Sequence, residues 1–132
     1  MSVIKRMKKE KILIVDDNEQ LLSMMNEFLV DNDYDVVCSL DGVTAKKIFF
    51  EYNPDIVITD IVMPNVDGIE LLIEIRKINP DIKSIVMSGG NKGHADTYLQ
   101  MADKLGADVI LNKPFQLKNL LVEIKRLLNS VM

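Results

Sequence analysis

Five times along this chain a short run rich in Val and Ile gives way to a longer amphipathic segment, and few architectures accept that alternation. The runs are residues 12–15, 36–38, 56–59, 84–87 and 109–111. They show little polar alternation, as strands of a parallel sheet do when both faces are covered. The segments between them carry helical spacing instead. Leu21, Leu22, Met25, Phe28 and Leu29 share one face, and Ala45, Ile48, Phe49 and Tyr52 another. Ile69, Leu72 and Ile73 mark a third helix, and Ala95, Tyr98, Leu99 and Ala102 a fourth. Leu117, Leu120, Leu121, Ile124 and Leu128 mark the fifth. Asp67 with Glu70 three residues on predicts a capped start for the third helix, and Asn79-Pro80 predicts its end. Right-handed crossovers turn this (βα)5 rhythm into an α/β fold, an open, doubly wound, five-stranded parallel sheet with helices on both faces.

Composition narrows the function classes. A chain of 132 residues has the size of one domain, and six Gly and four Pro are too few for a disordered or collagen-like chain. The net charge of −4 argues against a protein that coats nucleic acid. Residues 1–10 are expected to form a basic, solvated N-terminal extension, with Lys5, Arg6, Lys8 and Lys9 running on to Lys11. No apolar run approaches the roughly 20 residues of a membrane span, and no export signal follows the basic start, so a cytoplasmic protein with no membrane partner is expected. Cys38, the single cysteine, fits a reducing compartment, excludes a cysteine-based zinc site and reads as a buried small hydrophobe.

In open parallel sheets the ligand crevice lies beyond the carboxyl ends of the strands. Following each run to its end gives Asp16 and Asp17, then Asp60, Ser88 and Lys113. Three carboxylates brought together repel one another, and oxygen ligands of this kind suit Mg²⁺. A lysine and a hydroxyl opposite them suit a tetrahedral anion. Taken singly, Asp-Asp after a strand is more often a helix start, Asp60 could merely end a strand, Ser88 could cap a loop and Lys113 could be a surface lysine. Together they describe a pocket for a phosphoryl group held on one of the protein's own carboxylates.

With these residues in place, the chain resembles the response-regulator receiver domains of two-component signalling. The matching motifs are IVDDNEQ, TDIVMPNVDG, MSGG and NKPF, in order at successive strand ends. The resemblance covers essentially the whole chain and implies a flavodoxin-like strand order of 2-1-3-4-5 over residues 11–132. It implies that Asp60 is the phosphoacceptor, with Mg²⁺ held by Asp17, by Asp16 mainly through water, by Asp60 and by the backbone carbonyl of Val62. Ser88 would bond a phosphoryl oxygen. Lys113 would pair with Asp60 before phosphorylation and with the phosphoryl group after it, aimed inward by a cis Lys113-Pro114 peptide. The donor would be a sensor histidine kinase or a histidine phosphotransfer protein. Output would pass through the face of the fourth helix, fifth strand and fifth helix, where Gln100, Lys104 and Lys118 are candidate contacts.

Two positions depart from the family pattern. Ile110 stands where an aromatic switch residue is usual, and it lacks the hydroxyl and the ring that couple to Ser88. Changes on phosphorylation are therefore expected mainly in residues 88–94, where Gly89, Gly90 and Gly93 permit backbone movement. Val62 and Gly90 carry no acid or amide to orient an attacking water, so a long-lived phosphoaspartate is expected.

A last helix from about residue 117 to near 129 leaves no length for an output domain, so a stand-alone receiver is expected, with self-phosphorylation and slow autodephosphorylation but no turnover enzyme activity. The alternative is a receiver-like interaction module that works without phosphorylation. A phosphatase with an aspartate nucleophile would need an acid where Val62 stands, and a flavin carrier would need a phosphate loop after the first strand. His94, in a Gly-rich stretch, reads as an exposed turn residue. Met24 and Met101 are candidates for a partner surface.

Overall fold

The computed structural model describes residues 9–63, 65–89, 100 and 106–129. Five strands follow the five apolar runs: β1 (Lys11–Val15), β2 (Asp35–Ser39), β3 (Ile56–Asp60), β4 (Lys83–Ser88) and β5 (Val109–Asn112). Among the described residues there are four helices: α1 (Glu19–Asp31), α2 (Gly42–Tyr52), α3 (Gly68–Ile78) and α4 (Leu117–Asn129). All strand pairs are parallel, in the order β2-β1-β3-β4-β5. The expected flavodoxin-like topology is the one observed. The segment expected to form the fourth predicted helix, 95–102, lies outside the described residues except for Gln100, which is exposed.

The two-residue period of a strand distributes side chains between two cores. Ile12, Ile14, Ile56, Ile58, Ile85 and Met87 point to the layer of α1 and α4. Leu13, Val15, Val57 and Val86 point to the layer of α2 and α3. Burial of each such side chain contributes about 1.5–3 kcal/mol relative to exposure. Leu22, Met25 and Leu29 of α1 and Leu120, Ile124 and Leu127 of α4 close one face. Ala45 and Phe49 of α2 and Ile69, Leu71, Leu72 and Ile75 of α3 close the other.

Polar caps start three helices at the carboxyl edge of the sheet. Asn18 accepts from Leu21 N at 3.1 Å, Asp41 from Thr44 N at 2.7 Å and Asp67 from Glu70 N at 2.9 Å. α3 ends at Ile78 with Asn79 as its cap, where Pro80 stops it.

Three expectations change. Ile73 is 40% exposed, because the helix turns its stripe of Gly68, Leu71, Leu72 and Ile75 to the core. Cys38 is only half-buried on the edge strand β2, and burial there pushes its thiol up from the usual value. Lys11 is not a solvated end: its Nζ donates to the Tyr52 carbonyl at 3.4 Å and lies 5.4 Å from the Tyr52 ring centre. Lys5, Arg6 and Lys8 lie outside the described residues. No helix among the described residues is long and apolar enough to cross a membrane.

Candidate functional site

The same two-residue period gathers the acidic groups. Asp16 continues β1 in step with Ile12 and Ile14, its N–H donating to the Ser39 carbonyl at 3.1 Å. Asp60 ends β3 in step with Ile56 and Ile58. Lys113 continues β5 in step with Val109 and Leu111, its N–H donating to the Ser88 carbonyl at 2.7 Å. The two carboxylates and the ammonium therefore arrive on the α1/α4 side of the sheet at its carboxyl edge. Asp17, exposed in the turn before α1, completes the group.

One carboxylate oxygen from each of Asp16, Asp17 and Asp60 lies within 4.8 Å of the others. Asp16 is fully buried: Oδ1 accepts the Asn18 N–H at 2.9 Å and Oδ2 accepts from Lys113 Nζ at 2.6 Å. Asp60 is 7% exposed; its Oδ1 accepts the Ile61 N–H at 3.1 Å and lies 3.4 Å from Lys113 Nζ. Burial pushes the Asp60 carboxyl up to about 6, against the pull of Lys113, with Asp16 and Asp17 adding to the rise. Among the described residues one ammonium, that of Lys113, pairs with two of these three carboxylates, and an all-oxygen set this compact has the chemistry of a Mg²⁺ site.

Lys113 was expected to pair with Asp60, and its shorter contact is to Asp16. The cause is burial. Asp16 has no exposure to water and takes the shorter contact with the lysine, whereas Asp60 keeps 7% exposure. The Lys113-Pro114 peptide is cis, as the resemblance implies. Lys113 also lines an open cleft of about 510 Å³ with Asn18, Leu21, Met24, Pro114 and Phe115.

Ser88 ends β4, 2% exposed, beside β3 and β5. Val62, two residues after Asp60, is 49% exposed between buried Ile61 and Met63. Ile110 is half-buried against the α2/α3 core. Gly90, Gly93, His94, Met101 and Lys104 lie outside the described residues, and so does the loop expected to move, save Ser88 and Gly89. The sequence reading missed the supports. Asn18 fixes Asp16 through its backbone N–H. Gly68 donates to the Ile61 carbonyl at 2.7 Å, and its Cα packs so tightly on the Asp60 carbonyl that a Cβ would collide with it. The Asp67-Gly68 pair was the available signal, since glycine at a helix start after a cap residue marks a close backbone approach.

Parallel topology in the order β2-β1-β3-β4-β5, with an acidic, lysine-bearing cluster at the carboxyl edge, defines a class of doubly wound α/β domain. Residues 12–125 match the family described as the response regulator receiver domain. A CheY-like response regulator receiver domain protein from Methanospirillum hungatei superposes with a TM-score of 0.85 at 26% identity, covering 93% of this chain and 96% of that one. A response regulator receiver domain protein from Clostridium thermocellum gives 0.83 at 32% identity, covering 91% and 94%. The chemotaxis protein CheY4 of Vibrio cholerae gives 0.82 at 26% identity, covering 90% and 98%. The chain belongs to the response-regulator receiver domain family.

Proposed function

We propose that this receiver accepts a phosphoryl group on Asp60 from the phosphohistidine of a sensor kinase or phosphotransfer protein, in a Mg²⁺-dependent reaction in the cytoplasm. It then signals by phosphorylation-dependent protein binding or by onward phosphotransfer. The observation that carries this is the placing of the Asp60 carboxylate 3.4 Å from Lys113 Nζ, within the three-carboxylate cluster at the open edge of the sheet.

Asp60 is ionised at neutral pH with its carboxyl at about 6, so an oxygen lone pair is free to form a bond to phosphorus as the P–N bond to imidazole breaks. Asp16, Asp17, Asp60 and the Val62 carbonyl would hold Mg²⁺, which when bound neutralises charge on the phosphoryl oxygens. Lys113, bonded to Asp16 at 2.6 Å, stands as a cation beside the incoming group, and Ser88 brings a hydroxyl at the end of the neighbouring strand. With Val62 turned outward and carrying no polar group, water at the acyl phosphate has no side chain there to orient it, which favours slow hydrolysis.

Ile110, packed into the α2/α3 core with no hydroxyl, supports a second reading, an interaction module that needs no phosphate. Intact-mass analysis after incubation with acetyl phosphate separates the two. A single Mg²⁺-dependent phosphoryl adduct, absent from Asp60→Asn, is the expected result. No adduct in folded protein that binds Mg²⁺ would favour the module.

A further inference from the structure

Gly42, the first residue of α2, is buried against the connection between β3 and α3. A Cβ there would lie 2.5 Å from the Val66 carbonyl oxygen and 2.8 Å from Val66 Cβ and Cγ1. The nearest of these atoms is backbone, so a side chain at 42 could be accommodated only by shifting the β3–α3 connection itself. By helix propensity alone alanine would be the better residue at this position. Val66 is pinned from behind, packed on the core that holds Leu13, Phe49 and Leu72. It stands between Val62 and Gly68, in the loop that Gly68 closes on Ile61 and on the Asp60 carbonyl.

The same corner holds the other half of the acidic cluster. The Ser39 carbonyl accepts the Asp16 N–H at 3.1 Å. The Ser39 hydroxyl, in a residue 5% exposed, donates to the Asp41 carbonyl at 2.8 Å, and Asp41 caps the helix that Gly42 begins. Residues 39–42 therefore touch the backbone of Asp16 on one side and the loop after Asp60 on the other. Mg²⁺ tolerates little error in the spacing of its oxygens, at about 2.0–2.1 Å from each.

We propose that residues 39–42 form a brace that sets the spacing between the Asp16/Asp17 half and the Asp60/Val62 half of the metal site, with Gly42 as its positioning residue. The inference rests on the Mg²⁺ reading of the site given above. Gly42 touches no ligand; it acts through Val66.

The test compares wild type, Gly42→Ala, Val66→Ala and Leu127→Ala, the last a cavity in the opposite core, at a temperature where circular dichroism shows each to be folded. Calorimetry gives the Kd for Mg²⁺, and amide hydrogen exchange on the metal-free protein reports on residues 61–67. Gly42→Ala is expected to weaken Mg²⁺ binding about tenfold or more, the range for lost outer supports of a metal site, and to speed exchange in 61–67 without changing α4. Val66→Ala, which cannot clash, should shift both in the same direction by less, and Leu127→Ala should shift neither. Wild-type Kd and loop exchange in both Gly42→Ala and Val66→Ala would overturn the brace, as would an equal shift in Leu127→Ala. A wild type that binds no Mg²⁺ would overturn the metal reading and the brace together, so the two failures are distinct.

Discussion

The Asp60 carboxyl, pushed up to about 6 from 3.8 chiefly by burial, binds its proton more tightly in the folded chain than in the unfolded one. Linkage then fixes the sign: between those two values the folded state holds more protons, so stability falls as pH rises from 3.8 through 6 and stays reduced above it. The whole effect is on the order of 3 kcal/mol at most, from about 1.4 kcal/mol per pH unit. In chelator, Asp60→Asn should be more stable than wild type above pH 6 by about 1–3 kcal/mol in urea titrations, with the gap closing below pH 4. An equal gap at pH 4 and pH 7 would count against the charge as its source. Lys113 acts in the other direction. Lys113→Met leaves fully buried Asp16 without the ammonium now 2.6 Å away, and removes the strongest pull lowering the Asp60 carboxyl. A loss of about 3–5 kcal/mol in chelator is expected from the same titrations, because a buried charge without its partner is costly.

The connection from β3 to α3 is where an element's end becomes part of the site. Asp67 caps α3 at 2.9 Å, and Gly68 closes the loop through a 2.7 Å bond to Ile61. Asp67→Ala should cost about 1 kcal/mol, the usual worth of a cap, by shift of the urea midpoint. Gly68→Ala should cost more than Asp67→Ala and also weaken Mg²⁺ binding in calorimetry, since its new Cβ meets the Asp60 carbonyl; an unchanged Kd would show the approach to be relaxed. These elements were readable from sequence to different degrees. The strands were legible because unbroken Val/Ile runs have few other uses in a small domain, yet each is longer than its run, since polar ends such as Lys11, Asp35 and Asn112 still pair in the ladder. Ile73 was misplaced because helical spacing from Ile69 gives a face but not which neighbour covers it. The Asp67 cap was legible from two residues three apart. The Asp16–Lys113 pair joins residues 97 apart in the chain, and its preference over Asp60 depends on burial, which no local pattern carries.

At the scale of the molecule, the site is assembled from the ends of four of the five strands, and one layer of side chains decides its position. Because Ile14, Ile58 and Leu111 share the α1/α4 side, Asp16, Asp60 and Lys113 emerge together without long loops to aim them. That is why motifs scattered over the chain could be read as one constellation. The supporting brace at residues 39–42 could not be read, since its contacts to Asp16 and Val66 exist only once the sheet has formed. The central claim is that Asp60 itself carries the phosphoryl group. The most direct measurement is incubation with acetyl phosphate and Mg²⁺, reduction of the acyl phosphate with borohydride, and peptide mass mapping of the reduced residue. The account predicts modification at position 60 alone, lost on chelation of Mg²⁺. Reduction at Asp16 or Asp17 instead, an unreduced phosphate retained on Ser88, or no modification in folded protein that binds Mg²⁺ would contradict it.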